Sequence, residues 1–99
     1  MIIEHALLQV KAGLEAAFEK SMRDALPLIA ATPGFLKLEV RPCVEATGKY
    51  LLLVAWESVE AHSEGFRGSD RYGEWKRLLH HFYEPFPLVE HYGAAVAEA

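Results

Sequence analysis

Polar and apolar positions along this 99-residue chain switch between a period of two and a period of three to four. The switches divide it into six elements. From Ile2 to Val10, Ile2, Ala6, Leu8 and Val10 share one side and Ile3 and Leu7 the other, the pattern of a strand. After a turn at Lys11-Ala12-Gly13, Leu14, Phe18, Met22, Leu26 and Ile29 recur at spacings of three and four, which places one apolar stripe on a helix. Pro27 inside that stripe predicts a kink or a break, and Thr32-Pro33-Gly34 predicts the end. Phe35 to Val44 alternates again, with Leu36, Leu38 and Val40 set against Lys37, Glu39 and Arg41. A glycine-bearing turn at Ala46–Lys49 then predicts a hairpin with the apolar strand Tyr50–Trp56. Ser58, Ala61 and His62 mark a helix entrance. Ser69 is a natural N-cap for a helix to about His81, with Tyr72, Trp75, Leu78 and Leu79 on its inner face. Phe86–Tyr92 is the last strand, so residues 1–93 read as one domain and 94–99 as a C-terminal tail.

The order βαββαβ predicts an α+β, ferredoxin-like fold with an antiparallel sheet. Pro42 lies in strand 2, and Pro85 and Pro87 at the start of strand 4. Proline cannot donate to a ladder and is tolerated at sheet edges, so the expected strand order is 4-1-3-2. Both helices of this fold cover one sheet face, and a bare second face should be polar at alternate positions. Strand 3 has Leu52, Val54 and Trp56 on one side but Leu51, Leu53 and Ala55 on the other. A small chain with two apolar sheet faces is expected to pair with a second copy, face to face, as a homodimer.

Composition narrows the partners. A net charge of −4 with scattered Lys and Arg argues against nucleic acid. No apolar run approaches the roughly 20 residues of a membrane span, and Met1–His5 lacks the features of a signal peptide. The single Cys43 allows no intrachain disulfide and no cysteine-based zinc site, in keeping with a cytoplasmic location.

Candidate chemistry lies in the second half, which carries nine of the eleven aromatic residues and four of the five histidines. Flat rings around a helix–sheet cleft suit a small aromatic or quinone-like ligand, and histidines supply proton transfer near neutral pH. The same rings equally fill a small core. Trp56, Phe66, Tyr72, Trp75, Phe82 and Tyr83 are the candidate pocket residues, and His62 and His80 the candidate bases. A lone histidine on a helix is more often a surface or capping residue, and His80-His81 fit the C-terminal end of a helix dipole. Glu4-His5 and Glu90-His91 echo each other on strands expected to be neighbours, but no spacing such as HExxH supports a metal site. Neither a nucleotide-binding glycine motif nor a nucleophile elbow is present.

Gln9-Val10-Lys11-Ala12-Gly13 with Glu15-Ala16-Ala17-Phe18, Thr32-Pro33-Gly34-Phe35, and Val54-Ala55-Trp56-Glu57-Ser58 with Glu60-Ala61-His62 resemble the antibiotic biosynthesis monooxygenase (ABM) family. The likeness runs over about residues 2 to 92. It implies a dimeric α/β barrel of ferredoxin-like subunits, and a choice among cofactor-free oxygenases, quinol monooxygenases, haem-degrading enzymes and isomerases. The haem-degrading branch has Asn, Trp and His where this chain has Ala6, Phe66 and the Trp75-Lys76 region, so the resemblance does not imply haem chemistry. Other branches often carry His at the positions of Phe66 and Arg71. The reading that results is a cofactor-free monooxygenase of a small phenolic, aromatic or quinol substrate, with no cofactor and no metal. The alternatives are a non-enzymatic ligand-binding dimer, or an isomerase or decarboxylase using the same pocket.

Overall fold

A computed structural model describes all residues from Met1 to Ala99. Strand β1 (Ile2–Gln9) leads to helix α1 (Glu15–Ala30), the hairpin β2 (Phe35–Pro42) and β3 (Lys49–Trp56), helix α2 (Asp70–Leu79) and strand β4 (Val89–Tyr92). The four strands form one open sheet in the order β2-β3-β1-β4, antiparallel throughout. This is the expected 4-1-3-2 order and the ferredoxin-like fold. The sheet of one chain is not a closed barrel.

Both helices pack on one face. Ala6 and Leu8 of β1 and Leu52, Val54 and Trp56 of β3 meet Phe18, Met22, Ala25 and Ile29 of α1 and Trp75 and Leu79 of α2. Phe18 is fully buried at the centre, with ring contacts to Tyr50, Phe82 and Tyr83. Arg71 locks the helices together: its Nε donates to the Leu28 carbonyl (3.1 Å) and its Nη2 to Thr32 Oγ1 (3.2 Å).

The element boundaries differ from the sequence reading in five places. α1 runs through Pro27 without a break, because the missing N–H costs one bond near an exposed helix end and the Pro27 carbonyl still accepts from Ala31. β2 stops at Pro42, two residues before Val44, which is 95% exposed. β4 begins at Val89 rather than Phe86. The backbone of residues 82–84 first pairs with Gln9 and Lys11 at the end of β1, Glu84–Leu88 then leaves the sheet, and pairing resumes at Val89. Pro85 and Pro87 cannot donate to that ladder. The segment Ala61–Phe66 is a widened π-type turn closed by Arg67 N–H to the His62 carbonyl (3.0 Å), entered through Ser58, whose Oγ accepts from Ala61 N–H. Ser69 occupies the N-cap position of α2, but its hydroxyl donates back to the Phe66 carbonyl (2.6 Å) and caps nothing.

Gly34 fixes the approach of this turn to the sheet. It has φ +90°, accepts a hydrogen bond from Glu57 N–H, and a Cβ there would lie 2.7 Å from the Ala61 Cβ. Gly34→Ala is therefore expected to destabilise the fold by about 2 kcal/mol or more in urea unfolding. Gly73 is an exposed position within α2 with open space around it. Gly73→Ala is expected to stabilise by about 0.5–1 kcal/mol in the same experiment.

Candidate active site

The inner face of β1 is not wholly apolar. Its buried positions run Glu4, Ala6, Leu8 and Val10, so the alternation that builds the core carries a carboxylate into it. Glu4 is 5% exposed, and an ionised carboxylate so placed needs partners. The register supplies them from three directions. Trp56, at the end of β3, donates its Nε1–H to Glu4 Oε1 at 2.9 Å. His62, on the widened turn, brings Nε2 within 3.4 Å of the same oxygen. His91 of β4 is the cross-strand partner of Glu4 and places Nε2 2.8 Å from His62 Nδ1.

His62 and Phe66 stand four residues apart on this turn, so they share one face, and both are buried. His62 stacks on Trp56, with ring centroids 5.4 Å apart and planes 20° apart. Burial, helped by the positive charge of Arg67 and by His91, pushes the His62 imidazole down to about 4. At neutral pH His62 is uncharged, so its approach to Glu4 is not an ion pair. Burial also raises the Glu4 carboxyl above the ordinary range, against the Trp56 hydrogen bond and the Arg67 charge, which lower it.

Glu4 and His62 open on a cavity between the sheet and the helices, walled by Phe66, Tyr72, Trp75, His80 and Tyr83 and completed by Phe86. The rings meet edge to face, Phe66 with Tyr72 and Trp75, and His80 with Tyr72 and Phe86. Burial lowers the His80 imidazole below its usual range, aided by Lys76 and Arg67. The exposed lining residues Arg67 and Phe86 mark the mouth. The open space is only about 40 Å³, room for a few waters, whereas a cavity that holds benzene measures about 150 Å³. A ring-sized ligand must displace part of the wall, and the exposed Glu84–Leu88 segment carrying Phe86 lies outside the sheet. A wider cleft of about 230 Å³ lies between α1 and β2, but its polar contact is Tyr50 O–H to Glu19 at 2.6 Å, and it holds no imidazole.

Of the residues singled out from sequence, His62, His80, Phe66, Tyr72, Trp75 and Tyr83 line this cavity together. Trp56 does not: its ring is fully buried beneath His62, and its indole N–H serves Glu4. Phe82 is also off the wall, packed against Phe18 and His81. Sequence reasoning named Glu4 only in the echo with Glu90-His91 and missed its place on the cavity, although a charged residue at an inward position between Ile2 and Ala6 was the available signal. The echo of Glu4-His5 and Glu90-His91 is a true cross-strand pairing, Glu4 with His91 and His5 with Glu90. No three His, Cys, Asp or Glu side chains converge on a point that could hold a metal ion.

The sequence profile described as antibiotic biosynthesis monooxygenase matches residues 1–78. The chain belongs to the ABM family. It is 53% identical to the uncharacterised protein YczJ of Bacillus subtilis over 93% of this chain and 97% of that one. Among solved structures, a candidate ABM protein from Bordetella bronchiseptica superposes with a TM-score of 0.91 at 33% identity, covering 96% of this chain and 97% of that one. SnoaB, a cofactor-independent oxygenase from Streptomyces nogalater, shares the fold with a TM-score of 0.83 at 14% identity, covering 97% and 94%. No helix of this ABM chain is long and apolar enough to cross a membrane.

The depressed His62 imidazole has a consequence for stability. The unfolded chain binds a proton at His62 below about 6.5, the folded chain only below about 4. Between those values the unfolded state binds more protons, so this contribution is complete above pH 6.5 and is lost as pH falls to 4. The stability difference between wild type and His62→Gln is expected to shrink over that window when urea midpoints are compared at pH 7.5, 5.5 and 4.5.

Proposed function

We propose that this ABM protein is a cofactor-independent monooxygenase acting on a small phenolic, anthrone-like or quinol substrate. The observation that carries the reading is the buried Glu4–His62 pair opening on a cavity walled by aromatic rings. Such a site offers a proton acceptor in a dry, flat-walled space, which is what an acidic aromatic C–H or O–H requires. Membership of the family supports an oxidoreductase, and the fold shared with the oxygenase SnoaB is consistent with it.

His62 is neutral at working pH and has one nitrogen lone pair, so it is the base. It takes the proton of the activated carbon, and the substrate carbanion passes one electron to dioxygen. The two radicals combine to a peroxide anion, which takes the proton back from the imidazolium as a hydroperoxide and then loses water, with the second hydrogen of that carbon, to leave a ketone. One oxygen atom ends in the product and one in water. Glu4 stabilises the imidazolium formed in the first step, and Arg67 at the mouth favours an anionic substrate. His80 stands across the cavity, with Tyr72, Tyr83 and Phe86 against its ring, as the second proton-transfer group.

The working form is a homodimer. The sheet face away from the helices carries Ile3, Leu7, Leu51, Leu53 and Ala55, and a hollow of about 350 Å³ opens there beside Met1 and Leu36. Face-to-face pairing removes that apolar area from water at about 25 cal/mol per Å².

Oxygen uptake by chelator-treated protein over dithranol and 1,4-naphthohydroquinone tests the reading. We expect protein-dependent uptake that falls at least a hundredfold in His62→Ala, from protein that sediments at twice the monomer mass. Uptake unchanged in the variant removes His62 as base. Ligand binding without uptake favours a binding protein, and turnover that persists under nitrogen favours an isomerase.

A further inference from the structure

The imidazole of His62 spends its two nitrogens on two different partners, Nε2 toward Glu4 and Nδ1 on His91 Nε2. A metal ligand needs one nitrogen free for the ion, and a simple buried histidine needs only one partner. A ring bridged at both nitrogens can pass a proton on, accepting on one side and releasing on the other. The two ends of this row lie in different surroundings. Glu4 is at the inner end, on the cavity wall, and its Oε2 has no protein hydrogen bond. His91 is at the other end, on β4, the outermost strand of the sheet, where it is only partly buried. Its Nδ1 has no protein partner yet is not a buried unpaired atom, a condition met in this chain only by His5 Nδ1. The outer end therefore reaches water.

We propose that Glu4, His62 and His91 form a proton relay joining the cavity to solvent at the edge of the sheet, with His91 as the outer terminus. A proton arriving at His62 Nε2, directly from substrate or by way of Glu4, is matched by release of the Nδ1 proton to His91 Nε2. The Nδ1 proton of His91 then leaves to water. One proton enters and one leaves, the rings end in the opposite tautomers, and the reverse passage resets them. His91 touches no cavity wall and is a positioning and relay residue rather than a catalytic one. The use of the relay in turnover rests on the oxygenase reading, but the path itself does not.

The test separates the two. In protein labelled with ¹⁵N-histidine, the solvent exchange rate of the His62 ring N–H is measured by water saturation transfer in wild type, His91→Leu and His91→Gln. The relay predicts exchange at least tenfold slower in both variants, with amide spectra that show an intact fold; should Leu perturb the fold, Gln retains a polar side chain of similar reach. Equal exchange in wild type and variant overturns the relay. With dithranol as the probe, His91→Gln is expected to lower kcat at least tenfold at unchanged KM, with imidazole added to the buffer restoring it. Slowed exchange beside unchanged kcat overturns the role in turnover. Slowed exchange in a protein that consumes no oxygen upholds the path and sinks the oxygenase reading instead.

Discussion

A carboxylate has been carried into the interior on β1, and much of the adjoining structure answers to it. Glu4 occupies an inward position of the central strand and is almost wholly removed from water, a placement rarely tolerated without partners. Its partners come from β3, from the widened turn and, through His62, from β4. Each needs its element in one register. A slip of one residue between β1 and β4 would send His91 to the opposite face. The polar row thus helps to specify how β4 pairs with β1.

The cavity follows from the same arrangement. Aromatic side chains of the turn and α2 meet the sheet edge to face and leave a small space above the carboxylate and imidazole. Its wall is completed by the one part of the domain that leaves the sheet between two stretches of pairing with β1, Glu84–Leu88. Access for a ring-sized molecule and the break in β4 are therefore one structural feature, set by two prolines that cannot join the ladder.

Much of the fold was legible from periodicity. Alternation along β1 and β2, the unbroken apolar run of β3, the stripe from Phe18 to Ile29, and strand prolines confined to the edge strands together gave element order and strand order. The extent of β4 was not legible, because Phe86 and Leu88 look like strand residues whereas Pro85 and Pro87 decide whether they pair. His62 was legible as a histidine just beyond a central strand. Glu4 was noticed only in the echo with Glu90-His91, because the reading of the inner face of β1 followed its apolar residues and did not carry the charge between them into the core. Trp56 and Phe82 were placed on the wall since sequence shows that a large ring is buried but not where it points. The link from His62 to His91 spans 29 residues and depends on a cross-strand register that the pattern of β4 alone does not define.

The central claim is that Glu4 is a buried carboxylate held by Trp56 against the cost of its burial. Its titration, followed at the side-chain carboxyl carbon by ¹³C NMR in wild type and Trp56→Phe, tests this most directly. The account predicts a midpoint above the ordinary value of 4.5 in wild type, and a further rise when the indole donor is removed. A midpoint at or below 4.5, or one indifferent to loss of the indole, would mean that Glu4 is solvated and that the site is not built around it.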